Sequence, residues 1–392
     1  MELFLLQHYF RRFHDVSVID NGSAYKVCEH LTDFWTKKAM DFIDKAERQS
    51  KDRLFFLYLS YNGPYNLPPV VLSEARNRFA SYYRNNPPSQ PQESVHPFAQ
   101  QWAIEASVLT DREEPMKNYR LIGDEQKKSA QERWLELAWG GIQALNNKQA
   151  MIKAASETAM VDDGVGKVLA MLASRGLDEN TIVIFTSDQG ASYGQHGLWG
   201  NASWASPVAA YDEHMNVPFI VRHTNHIPSG KITDAPINQF DVFPTVLDYL
   251  SMSDKVIENS PGKSFLGVLQ NTSPKWENDI FYDYILTRAV QTKEFKYVKR
   301  FMVEPNELYD LRSDPEEKIN LIDEPKYANT IQALDGKIEA FFSRHSDPRF
   351  NVWKGGTAKS VLMYGHANGI FESTFDNWRG PFVESVKPFK DQ

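Results

Sequence analysis

The sequence predicts an α/β fold, a mostly parallel sheet sandwiched by helices, with a smaller α+β subdomain at its C-terminal end. Three observations carry this. Apolar, β-rich runs at Leu54–Ser60, Thr181–Thr186 and Val217–Arg222 read as buried central strands. Apolar residues at helical spacing lie around and between them, in the order strand, helix, strand, helix. After Ser251 the texture changes to short β-like pieces separated by turns and followed by one helix. The expected division is residues 1–250 for the α/β core and residues 251–392 for the C-terminal subdomain.

Each element has a local reason. Trp35, Ala39, Phe42, Ile43 and Ala46 recur at helical spacing behind Thr32 and Asp33, which can cap a helix. The run Leu54–Ser60 stops at Tyr61–Pro64, a loop signal. Residues 85–100 are rich in proline and asparagine and read as an exposed excursion, followed by a polar helical region to about residue 150. Val161, Val165, Val168, Leu169 and Leu172 form a helical stripe, and Gly176 stands where that helix should stop. Phe240, Phe243, Val246, Leu247 and Leu250 give a further helix. Beyond it, Asp279–Ile285 and Phe295–Val298 read as strands and 327–344 as a helix. No internal repeat is evident.

Composition narrows the class. Of 392 residues, 42% are hydrophobic and 24% charged, the balance of a globular domain. The formal charge of −8 and the lack of a basic, aromatic-interleaved patch argue against a nucleic-acid partner. No apolar run is long enough to span a membrane. Cys28 is the single cysteine, so no internal disulfide can form, and this leaves the compartment open. The apolar N-terminus lacks a basic leader and a small-residue cleavage site and is not read as a signal peptide; a periplasmic or secreted place for a longer protein stays open.

The chemistry-bearing feature is Thr181–Gly190. A buried strand ends abruptly in Ser187, Asp188, Gln189 and Gly190, at the sheet edge where α/β proteins place ligands. An acid and an amide side by side there offer hard oxygen donors to a cation. Asp188 has a second reading, as a turn or helix-capping acid.

Several stretches in order resemble the sulfatase family of the alkaline phosphatase superfamily. Phe55–Tyr65 is similar to its strand and loop ending in Pro-His, and Asp162–Leu169 with Thr181–Gly190 to its helix and metal-bearing strand. Tyr211–Val221, Gln239–Leu247 (with its Asp-x-Phe-Pro-Thr core) and Glu307–Leu321 resemble the segments that follow. Together they cover about residues 30–322.

The resemblance implies an alkaline phosphatase-like fold and hydrolysis of sulfuric esters. In the family a formylglycine, made from a Cys/Ser-x-Pro-x-Arg motif, is the nucleophile. A cation, usually calcium (Ca2+), is held by early acidic residues and a later Asp-Asn or similar pair. That later pair falls on Asp188 and Gln189 as metal ligands. The implied partner is a sulfated small molecule or glycan.

The sequence departs from the family pattern. The early acidic pair, the Cys/Ser-x-Pro-x-Arg motif and a Gly-Lys-Trp-His-like segment are absent, so no catalytic nucleophile is named. Cys28 lacks the flanking Pro and Arg and is expected to be a small buried residue. The family's loop His is Tyr65 here, and the Lys expected after Gly200 is Asn201. His196 is read either as a substrate-proximal residue beside Tyr65 and Asn201 or as a surface-loop histidine. Tyr193, Trp199 and Trp204 read either as sugar-cleft aromatics or as packing residues.

Two donors fall short of the roughly 6–8 oxygens calcium takes, so weak calcium affinity is expected. The sequence is expected to begin downstream of the missing elements, and neighbouring strands to present unpaired apolar edges. Three functions remain: a sulfatase lacking its N-terminal portion, a non-catalytic sulfatase-like protein that binds sulfated glycans or a partner, and a phosphodiester or phosphonate hydrolase of the same superfamily.

Overall fold

The computed structural model describes residues 4–6, 13–14, 16–20, 23–49, 54–64, 68, 70–108, 138–202, 208–272, 275–284, 287–301, 305–349 and 351–354. Among these residues no helix is long and apolar enough to cross a membrane. The chain opens with a small antiparallel sheet that the sequence did not announce, β1 (Phe4–Leu6), β2 (Val16–Asp20) and β3 (Ser23–Val27). Its Val16, Val18 and Val27 bury against Leu31, Phe34 and Trp35 of the helix Leu31–Gln49, with Leu59 and Tyr61 packed alongside. That helix starts ahead of Thr32, and the capping acceptor is His30, whose Nδ1 accepts from the Thr32 amide at 3.2 Å. Because Nδ1 accepts, the neutral ring carries its proton on Nε2, which donates to the buried Glu157 carboxylate at 2.9 Å. Asp33 pairs instead with Arg78 at 2.7 Å, and Arg78 also holds Asp163.

Glu157 belongs to the long helix Lys148–Ser174. The Asn147 side chain caps its start by accepting from the Gln149 and Ala150 amides. The helix stops where its sequence says it should. Gly176 turns left-handed at φ 66°, and the Leu177 amide reaches back to the Leu172 carbonyl at 2.9 Å. β4 (Val183–Thr186) follows, then a hairpin of β5 (Ser192–Tyr193) and β6 (Trp199–Gly200), the short helix Asp212–Met215, and β7 (Phe219–Arg222).

The layered α/β arrangement is as predicted, but its expected parallel pairing needs correction. β4 pairs with β7 antiparallel, and every ladder among the described residues is antiparallel. A parallel pair needs a crossover to the opposite sheet edge. Here the hairpin and the short helix stay at the end where β4 finishes, so the chain re-enters from that end. Leu54–Ser60, read from the sequence as a buried central strand, needs correction: it joins no ladder among the described residues, and its side chains alternate between part-buried and exposed. Phe55, Leu57 and Leu59 turn inward, while Leu54 (87% exposed), Phe56 (84%) and Tyr58 (80%) face solvent. Ile220 on β7 is 60% exposed. Cys28, expected to be buried, is exposed, because it lies just past the end of β3.

The C-terminal sheet is an antiparallel meander of β8 (Ile280–Tyr284), β9 (Thr287–Gln291), β10 (Phe295–Arg300) and β11 (Glu307–Asp310), in the order β11-β10-β9-β8. The helix Ala328–His345 covers one face, where Leu334, Ile338 and Phe342 bury against Val290, Tyr297 and Leu308. A second apolar cluster, Phe98, Leu198, Ala209, Tyr211 and Tyr309, joins this sheet to the α/β core. Two histidines lie at that junction. His96 Nε2 meets the Tyr211 hydroxyl at 2.9 Å, and His214 Nε2 meets the Ser192 hydroxyl at 3.0 Å. Burial pushes both rings down to about 4; the His196 charge helps, and Glu213 partly opposes it at His214.

Replacing Leu54, Phe56 and Tyr58 together by Lys, Glu and Lys should leave the melting temperature nearly unchanged and reduce self-association, as read by light scattering. A second expectation concerns pH. Above the ordinary histidine value of 6.5, His96 and His214 are neutral whether folded or unfolded and contribute nothing. Below it the unfolded chain takes up protons that the folded chain refuses, so stability falls from pH 6.5 down to about 4. The loss is at most roughly 3 kcal/mol per ring. Thermal melts across that range should show the slope, and His96→Gln should make it shallower.

Candidate functional site

β4 delivers the turn Ser187–Gly190 to the end of the sheet, as the sequence predicted. The turn's main chain is held from two sides. The Gln239 side-chain amide donates to the Ser187 carbonyl at 2.8 Å and the Asp188 carbonyl at 3.3 Å. On the other side the Gly190 amide donates to the His214 carbonyl at 3.1 Å. Glycine is required there by close approach, since a Cβ would sit 2.1 Å from the Glu213 carbonyl oxygen. With the backbone fixed, the side chains of Asp188 and Gln189 point into solvent. The Asp188 carboxylate has a long contact from the Ser187 hydroxyl, at 3.5 Å, and no ion pair among the described residues. Two hard oxygen donors therefore stand side by side, open and unneutralised.

His196 lies elsewhere in the arrangement. It sits in the loop between β5 and β6 with a left-handed backbone, φ 55°. The surface-loop reading is corrected: its side chain is 10% exposed and stacks on Tyr211, centroids 3.8 Å apart and planes 5° apart. Its Nε2 lies 3.5 Å from Glu213. Burial alone would raise the Glu213 carboxyl, but the hydrogen bond and charge of His196 win and hold it below the ordinary value. Ligand atoms of His196, Glu213 and Glu317 fall within 4.8 Å of one another, a grouping that could also hold a metal. That grouping already has a cation. The ammonium of fully buried Lys296 lies against the Glu317 carboxylate and 2.9 Å from Asp212. Burial raises the Glu317 carboxyl, and Lys296 pulls it back only in part. Among the described residues no bond joins His196 to Asp188.

Tyr65 lies outside the described residues. Asn201 is half-buried just past β6. Trp199 proves to be a packing residue, buried among Val71, Ala144, Ala150 and Ala154 with Tyr193 beside it, and Trp204 is outside the described residues. Sequence reasoning missed Gln239, Glu213, Lys296 and Glu317. All four were in view only as parts of segments, and no local pattern announces a residue such as Gln239 that acts across 52 positions.

Comparison with known proteins bears on the whole arrangement. Residues 5–252 match the model of the family described as Sulfatase, and residues 200–344 that described as N-sulphoglucosamine sulphohydrolase, C-terminal. The chain is 24% identical over 384 residues to an N-acetylglucosamine-6-O-sulfatase of Bacteroides thetaiotaomicron, covering 87% of this chain and 66% of that protein. It thus spans slightly less than two thirds of that relative's length. A solved structure in complex with its substrate D-glucosamine-2-N,6-O-disulfate superimposes with a TM-score of 0.67 at 22% identity, over 89% of this chain and 78% of that one. A phosphonate monoester hydrolase from Silicibacter pomeroyi gives 0.56 at 19% identity, over 80% and 60%. These likenesses show an alkaline phosphatase-like fold. With its model matched over residues 5–252, the chain belongs to the sulfatase family.

Proposed function

We propose that this protein handles sulfate esters of glucosamine-containing glycans, with Asp188 and Gln189 as oxygen donors to a calcium ion. The observation that carries the proposal is the Asp188 carboxylate, exposed at the end of β4 and without an ion pair among the described residues, while its main chain is pinned. Family membership implies a divalent metal ion. The turn suits one better than the His196, Glu213 and Glu317 grouping does, because Lys296 already neutralises the latter. Bound there, calcium would meet the charge on sulfate oxygens and polarise the ester.

The chain's own groups then divide the work. Gln239 and the His214 carbonyl hold the turn so that the donors stay adjacent. We assign Asn201 and Tyr65 to the substrate side of the site, as neutral hydrogen-bonding groups. The glucosamine assignment is supported by the relatives: one is named for N-acetylglucosamine 6-sulfate, another holds a disulfated glucosamine. The sequence contains no Cys/Ser-x-Pro-x-Arg, so these residues by themselves should bind without turnover. The replacement of two cationic helpers by Tyr65 and Asn201 favours a second reading, a protein whose role is binding.

Calorimetric titration with calcium should give weak affinity, on the order of millimolar, and Asp188→Ala should remove it with the melting temperature unchanged. In calcium, glucosamine 6-sulfate should bind with no sulfate released, as read by ion chromatography. Failure of wild-type chain to bind calcium would remove the donor assignment, and sulfate release would show a nucleophile other than formylglycine.

A further inference from the structure

We propose that the C-terminal sheet positions the Asp188–Gln189 turn through a relay, in which Lys296 and Glu317 hold Asp212 and the short helix Asp212–Met215 holds Gly190. The contacts stand on their own; their consequence for a cation rests on the donor reading given above.

The relay begins in the meander. Lys296 on β10 is fully buried, and its ammonium is shared between Glu317 and the Asp212 carboxylate, 2.9 Å away. Glu317, in the turn after β11, also accepts from the Asp212 amide at 2.8 Å. Asp212 is therefore gripped through both its side chain and its main chain. Two further bonds hold the approach to it: Arg300 and Thr287 donate to the Val208 carbonyl at 3.1 and 3.3 Å. Burying an ammonium and a carboxylate is favourable only when each meets its partner, so this contact admits little play.

Asp212 opens a single rigid turn. The Asn216 amide closes it on the Asp212 carbonyl at 2.7 Å, and the His214 side chain is tied to Ser192. The far side of that turn presents the Glu213 and His214 carbonyls to Gly190, the residue after Gln189. Donors to a cation have to be held within about 0.5 Å of their working geometry. Asp188 and Gln189 are exposed and cannot hold themselves, so their placement depends on Gln239 on one side and on this relay on the other. Lys296, Glu317 and Asp212 are positioning residues in this scheme and touch no substrate.

The test is amide hydrogen exchange on the full chain labelled with 15N-glycine, read at Gly190, with Gly164 in the helix Lys148–Ser174 as internal reference. The variants are Asp212→Asn and the charge-neutral pair Lys296→Met with Glu317→Gln. Exchange at Gly190 should rise about 10-fold or more in the pair, and less in Asp212→Asn, with Gly164 unchanged. Equal acceleration at Gly164 and Gly190 in Asp212→Asn, the milder variant, would overturn the relay and leave only a global stability effect. So would an unprotected Gly190 in the wild type or unchanged protection in both variants. Calcium titration of the same proteins separates this idea from the donor reading. Faster Gly190 exchange with weaker calcium binding supports both. Faster exchange with no calcium binding even in the wild type upholds the relay and removes the donors.

Discussion

A buried ammonium is the constraint on which the two parts of this molecule depend. Lys296 has no solvent, and removing such a charge from water costs several kcal/mol before any partner is counted. The cost is offset only where Glu317 and Asp212 are both in place. One partner comes from the C-terminal sheet's own turn and the other from the α/β core. The charge thus specifies how the two halves meet, in a way that the apolar cluster of Phe98, Leu198, Tyr211 and Tyr309 does not, because apolar contacts are not directional. Arg300, paired with Glu307 and bonded to the Val208 carbonyl, repeats the arrangement four residues further along β10.

The opposite situation holds along Leu54–Ser60. One side of that segment is packed, with Phe55 edge-on to Phe42 and the Tyr61 hydroxyl 2.9 Å from Thr36. The other side lays three large apolar side chains in water. Large exposed apolar patches are uncommon on monomeric proteins and promote association. The chain therefore combines a tightly specified junction with an open apolar surface.

Much of the fold was legible from short-range pattern. The stripe from Val161 to Leu172 with Gly176 behind it marked a helix and its end, and the geometry of that end follows from glycine's freedom at positive φ. The helix from Leu31 was legible, but its cap was not, because histidine is not a usual capping residue and His30 is held in that role by Glu157, 127 positions away. β9 and β11 escaped notice since Thr287–Gln291 and Glu307–Asp310 are short and polar in part, stabilised as strands by their neighbours in the meander. The direction of pairing between β4 and β7 also escaped, since it depends on which edge the intervening loops occupy.

The sequence by itself determined residue types and their spacing: a strand that ends in an acid and an amide, a family likeness, and the absence of the family's nucleophile motif. Tertiary structure alone decided which charges are spent. Asp188, Glu213 and Glu317 all read in the sequence as acidic side chains. Folding places Glu213 against His196 and Glu317 against Lys296, and gives Asp188 no ion pair among the described residues. The physical reason is distance. Charge pairing acts over a few ångströms, and partners such as Asp212 and Lys296, 84 positions apart in the chain, come that close only when the sheet and the core have packed.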